Sequence, residues 1–256
     1  MKATLTVLGS GTSMGVPTIG CDCSVCTSRD PRDHRTRPSV LIQYEGRNIL
    51  IDTTPDFRQQ ALRAGIRHLD AVLYTHAHAD HILGLDDLRP VTFRHADKVP
   101  LYAGENTARA LRSVFRYIFD NDYKYGNLAR VDLHPLNDGV NLFGVRFAAI
   151  KVIHGDTEID GFRFGSAAYL TDFSAIPEAS MEQLQGLDVL FLDALRRKPH
   201  PTHSSVEQSL KIVERLKPQR TFFTHISHDL AHESTNASLP AGVQLAHDGM
   251  RLEFEI

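Results

Sequence analysis

The stretch Tyr74-Thr75-His76-Ala77-His78-Ala79-Asp80-His81 constrains this chain more than any other. Three histidines and one carboxylate fall within six residues, separated only by alanines. Residues 71–74 just upstream form a short apolar run that reads as a buried strand. Downstream, Ile82, Leu83, Leu85 and Leu88 have helical spacing. The cluster therefore stands where a strand gives way to a helix. Side chains two apart on an extended segment share a side. His76 and His78 can thus serve one ion, while Asp80 and His81 turn the corner toward a neighbouring one. A solvated surface has no need of alanine spacers, and four such groups packed without a cation would crowd. Metal binding is the expected role.

A second cluster is Cys21-Asp22-Cys23-Ser24-Val25-Cys26, which contains every cysteine of the chain. An odd, tightly spaced set does not build a disulfide framework. The alternatives are three small buried residues or three thiolate ligands of one tetrahedral zinc, completed by a distant histidine. Before it, residues 9–15 form a glycine-rich turn without the lysine of a phosphate-binding loop or the third glycine of a dinucleotide fingerprint. It reads as a tight loop approaching a site, with an anion contact second. Residues 30–38 are polar and read as an exposed loop.

Further along, strand after strand ends in a group able to bind metal: Asp52, His76 with His78, His154, Asp172, Asp193 and His225. Asp52 suits either a helix N-cap or an acceptor that orients a metal-bound histidine. A helix is predicted over 106–119, and another begins at a capping box of Ser204 and Glu207. A final hairpin is expected to turn at Asp248-Gly249. Tyr123, Lys124 and Tyr125, in the 120–126 loop, read as ordinary surface, a lid or a dimer contact. Alternating strands and helices imply sheets covered by helices, with strand-end loops gathered on one edge.

With 256 residues, 42% of them hydrophobic, the chain can build a sizeable core. Its formal net charge of −3 advertises neither nucleic acid nor a membrane surface. It has no 18-residue apolar run, and the first residues alternate like a strand rather than a signal peptide. A soluble, cytoplasmic protein is expected.

His76-x-His78-x-Asp80-His81, followed in order by His154, Asp172 and His225, resembles the metallo-β-lactamase superfamily over essentially the whole chain. That resemblance implies a single α/β domain spanning residues 1–256, a four-layered αββα sandwich with a two-metal site at one edge. Within the superfamily, the N-terminal Gly-Ser-Gly-Thr-Ser-x-Gly-Val-Pro, the cysteine knuckle and Thr-His-Ile-Ser-His are similar to the branch containing the cyclic phosphodiesterase of phosphonate breakdown. It implies that His228 joins Cys21, Cys23 and Cys26 at a structural zinc. It also implies that His76, His78 and His154 hold one ion and Asp80 and His225 the second, with Asp172 bridging them and His81 completing the ligands of the second ion. Nitrogen and oxygen donors suit zinc or manganese. Asp80 and His203 are the candidate catalytic residues, His203 as proton donor or charge stabiliser, with His200 as the alternative donor.

The implied reaction is attack on a phosphodiester such as phosphoribosyl cyclic phosphate by water activated between two ions. Thioester or lactone hydrolysis is a rival on the same scaffold. So is a nuclease like the tRNA 3′-endonuclease, although no long glycine- and proline-rich arm is present. Redox di-iron relatives place glutamate where this chain has His78. A binding module would keep only the structural zinc. The expected partners are a small phosphodiester and, as is common in the family, a second copy of the chain.

Overall fold

The computed structural model describes residues 1–93, 97–120 and 126–256. Tyr123, Lys124 and Tyr125 of the 120–126 loop lie outside them. The first sheet is built from Lys2–Gly9 (β1), Ser39–Tyr44 (β2), Arg47–Ile51 (β3), Ala71–Leu73 (β4), Val99–Ala103 (β5) and Val131–Pro135 (β6). The second takes Gly139–Leu142 (β7), Val145–His154 (β8), Thr157–Phe164 (β9), Ala167–Leu170 (β10), Val189–Asp193 (β11), Arg220–Thr224 (β12) and Val243–Leu245 (β13). Arg251–Glu255 (β14) then returns to the edge of the first sheet, beside β1.

Alternation along the strands creates the layers. Ile49 and Ile51 of β3 enter a middle core shared with Phe147, Phe164 and Phe191, while Leu50 between them faces an outer core. On the second sheet Val189 and Phe191 of β11 enter the middle core, and Leu190 and Leu192 face outward. A strand apolar on both faces must be covered on both. Phe57–Ala64 (α1), Ala79–Ile82 (α2), Arg89–Thr92 (α3), Glu105–Val114 (α4) and Arg116–Phe119 (α5) follow strands of the first sheet. Phe57, Ile82, Val91 and Leu111 from four of these helices seal its outer face. Glu178–Gln183 (α6) and Val206–Leu216 (α7) seal the outer face of the second through Met181, Val206 and Leu216. His232–Asn236 (α8) packs beside β13, where Asn236 Oδ1 accepts from the Leu245 backbone N–H at 2.7 Å. The result is the helix–sheet–sheet–helix sandwich.

Several local expectations are corrected. The helix after the histidine cluster breaks into α2, a 3-10 turn at Leu85–Leu88, and α3. Gly84 presses on the preceding loop so closely that a Cβ there would lie 2.0 Å from the carbonyl oxygen of Thr54, and Pro90 opens the next helix. Leu83 points to solvent. The 106–119 helix breaks at Phe115, whose ring turns into the outer core. The capping box of α7 is Ser205 with Gln208, because Ser204 is buried and bonded to the Ser209 hydroxyl. Residues 30–38 are only partly exposed. Arg35 is buried with Asp33, and its guanidinium donates to the carbonyls of Ser227 and Leu230.

The terminal hairpin does not form, since β13 and β14 belong to different sheets. Asp248 instead clamps the crossing. One oxygen accepts from the backbone N–H and hydroxyl of Ser10, both at 2.9 Å. The other accepts from the backbone N–H of Thr36 at 2.9 Å, its hydroxyl at 2.6 Å and Arg63 at 3.1 Å. Asp248→Ala strands these donors and is expected to cost about 2–4 kcal/mol. Urea unfolding checks this through a lower midpoint at unchanged slope.

Candidate metal centre

Parallel pairing brings the strand ends level. Ile51 pairs with Leu73 in the first sheet, and Leu170 with Leu192 and Leu192 with Phe223 in the second. Just beyond them lie Asp52, the 75–81 segment, Asp172, Asp193 and His225, all on one edge. The carboxyl ends of parallel strands are where such folds place their sites. Asp52, Asp172 and His225 adopt left-handed φ values of 64°, 57° and 58°. That conformation is costly for a side-chain-bearing residue and clusters at functional sites.

Two groups of donors result, His76 with His78 and His154, and Asp80 with His81, Asp172 and His225. His76 Nε2 lies 3.1 Å from His78 Nδ1. In the second group, His81 Nε2 is 3.3 Å from Asp80 and 3.4 Å from Asp172, and His225 Nε2 is 3.1 Å from Asp172. Asp172 also reaches toward the first group, 3.8 Å from His76 Nε2. Donors about 2.0–2.2 Å from a common ion stand about 3–3.6 Å apart, so the spacings of 3.1, 3.3 and 3.4 Å fit. Among the described residues, Asp80 Oδ2, His81 Nε2 and both ring nitrogens of His225 are buried without a hydrogen-bond partner. Buried polar atoms are rarely left so; a cation would satisfy those that converge on it.

Neighbouring groups fix the tautomers. Asp52 does not cap α1, whose N-cap is Asp56. It is fully buried, accepts from the backbone N–H and hydroxyl of Thr75, and takes the His81 Nδ1 proton at 2.7 Å. The Thr75 oxygen, having given its proton to Asp52, accepts from His76 Nδ1 at 3.0 Å. His154 Nδ1 donates to the Thr202 carbonyl at 2.8 Å. Each bond leaves the Nε2 lone pair facing the site. Thr75 and Thr202 were not singled out from the sequence; nothing in a lone threonine marks it as a tautomer-setting partner.

The electrostatics agree. Burial opposes charge on His81, yet Asp172, Asp80 and Asp52 together hold it well above the ordinary histidine value. Burial likewise opposes charge on His225, but Asp172 and its neighbours push it up to about 10. Burial also works against the Asp172 carboxylate, but His225 and His81 hold it well below the usual range. His76 and His154 are lowered, chiefly by burial, and so remain neutral donors. The acidic half demands positive charge, and divalent ions would supply it in place of protons.

Beside this centre, His203 Nδ1 donates to Asp193 at 2.9 Å, and its ring stacks on His225 with centroids 4.7 Å apart. His203 also lies within ligand distance of His154 and Asp172. His200 is one position further out, its ring 5.1 Å from that of His203 and its Nδ1 occupied by Thr202.

The knuckle forms apart from the centre. Cys21, Cys23 and Cys26 place their sulfurs 3.2, 3.6 and 3.4 Å from His228 Nδ1. The Cys26 N–H donated to Cys23 helps bring that thiol down to about 7, whereas burial pushes Cys26 up. Three thiols around one imidazole nitrogen suit a closed zinc site. Cys23→Ser is expected to cost at least about 2 kcal/mol in stability. At a temperature where the variant stays folded, kcat/KM should be unchanged. Lost activity at unchanged stability would contradict the structural role.

Residues 47–226 match the Beta-lactamase superfamily domain. The chain belongs to this superfamily. Across almost its full length (99% of this chain and 98% of the other) it superposes on the crystal structure of a new diphosphatase from the PhnP family, with 64% identity and a TM-score of 0.94. It is 38% identical over 248 residues to an octanoyltransferase of Porphyromonas gingivalis, covering 95% of this chain and 50% of that protein. It is 32% identical over 144 residues to ribonuclease Z of Bradyrhizobium diazoefficiens, covering 54% of this chain and 47% of that one. The chain thus spans about half the length of these curated relatives. Among the described residues, no helix is long and apolar enough to cross a membrane.

Proposed function

We propose that this superfamily member is a metal-dependent hydrolase that attacks phosphorus in a phosphoric diester, a cyclic ribosyl phosphodiester or a diphosphate diester. The observation that carries this reading is Asp172 joining two donor groups beside a His203–Asp193 pair. Its likeness to the PhnP-family diphosphatase supports phosphorus as the centre attacked. His76, His78 and His154 would hold one divalent ion and Asp80, His81 and His225 the other, with Asp172 between. Zinc or manganese fits these donors. Such ions supply Lewis acidity and lower the pKa of water.

The protein's own groups do the rest. Asp52, Thr75 and Thr202 lock the imidazoles so that their Nε2 atoms converge. Asp193 accepts from His203 Nδ1–H and so orients the ring; in its doubly protonated form the Nε2–H delivers its proton to the departing alkoxide and the ring is left neutral. General acids of this kind contribute about 10²–10⁴-fold. The small phosphodiester substrate and a cytoplasmic setting belong to the same proposal.

The ribonuclease Z relative favours a second reading, cleavage of an RNA phosphodiester. Turnover of the metal-replete protein on cyclic phosphodiesters, diphosphate diesters, a tRNA precursor, thioesters and lactones separates the readings. Hydrolysis of the small phosphorus esters is expected. Turnover confined to thioesters or lactones would contradict the proposal.

A further inference from the structure

A cavity of about 480 Å³ opens beside the centre. Its walls include His76, His78 and His154 but not His203, His225 or Asp80. Whatever fills it therefore lies against the His76, His78 and His154 donors, with His203 outside its walls. If His203 protonates the departing oxygen, the cavity holds the substituent that stays on phosphorus. This inference rests on the phosphodiesterase reading above.

The charges of the walls discriminate between substituents. Among the described residues, four carboxylates line the cavity, from Glu105, Asp156, Glu158 and Asp160, against a single ammonium, from Lys151. That ammonium is already engaged, 2.6 Å from Asp160 Oδ1. The other oxygen of Asp160 is pinned against the start of α4, where a Cβ on Gly104 would sit 2.9 Å from it. Asp160 is buried, and its backbone N–H donates to the Thr75 carbonyl, which ties this wall to the histidine segment. Glu158 is 4.0 Å from Lys151 and largely exposed, and Asp156 has no ion pair among the described residues. Asn106, Thr107 and Thr157 add neutral hydrogen-bonding groups.

We infer that this cavity selects an uncharged, hydroxyl-rich substituent, such as a ribosyl group, and rejects one carrying a further phosphate. Carboxylates accept hydrogen bonds from sugar hydroxyls. A second phosphate would face Asp156 and Glu158, while among the described residues the one ammonium of the wall is held by Asp160, and like charges at an interface suppress the wrong partner. Phosphoribosyl cyclic phosphate would then be a poorer substrate than the cyclic ester without its terminal phosphate.

The test uses 4-nitrophenyl phosphodiesters, which share a leaving group. The retained group is methyl, a nucleoside, a nucleoside bearing a second phosphate, or choline. The nucleosidyl ester should exceed its phosphorylated form at least about tenfold in kcat/KM. The D156N/E158Q double variant should narrow that ratio at least about threefold, mainly through KM. Preference for the phosphorylated ester, or an unchanged ratio in the double variant, would overturn the inference. Choline as the best retained group would overturn it in favour of a cation pocket. No turnover of any ester, methyl included, would instead bring down the phosphodiesterase reading itself.

Discussion

Asp172→Ala is expected to lower phosphodiester turnover at least about 10³-fold, about 4 kcal/mol of barrier. It should also empty part of the centre while the knuckle keeps its ion. Asp172 sits 3.4 Å from His81 Nε2, 3.1 Å from His225 Nε2 and 3.8 Å from His76 Nε2, so it reaches both donor groups. Without it, His81 and His225 lose the carboxylate that most favours positive charge near them. Removing one partner of a buried charged set is costly, so Asp172→Asn serves as the near-isosteric control. Elemental analysis alongside kcat/KM checks both. Wild-type turnover by a folded Asp172→Ala protein would be incompatible with the shared-carboxylate centre.

His203→Ala should lower kcat about 10²–10⁴-fold on an ester with an aliphatic leaving group, at unchanged metal content. A nitrophenolate needs no proton to depart, so its ester should lose less than about tenfold. Asp193→Asn should fall between, because it loosens the imidazole anchored at 2.9 Å without removing it. If His203→Ala costs the same on both esters, His203 stabilises charge and does not deliver a proton.

The centre was legible because its donors are local or end-marked. His76, His78, Asp80 and His81 fall on one short corner, and His154, Asp172 and His225 each close an apolar strand. Side-chain alternation within β3 and β11 made the layered architecture readable as well. What escaped depends on contacts between distant segments. Arg35 looks like a surface residue in a polar loop, yet carbonyls of residues 227 and 230 pull it inside. Asp248-Gly249 has the composition of a hairpin turn, but bonds to Ser10 and Thr36 carry the chain from one sheet to the other. The helix after His81 follows its apolar spacing until Gly84 docks on Thr54. The Asp52 ambiguity between cap and acceptor was settled by Thr75 and His81, whose positions no sequence window contains.

Metal content of the purified protein, followed through chelation and reloading, tests the central claim most directly. The account predicts about three ions per chain, two at the strand edge and one at the knuckle. It further predicts that chelation of the edge ions abolishes turnover and that zinc or manganese restores it. A protein that carries no ion at the strand edge and keeps full turnover after exhaustive chelation would contradict it.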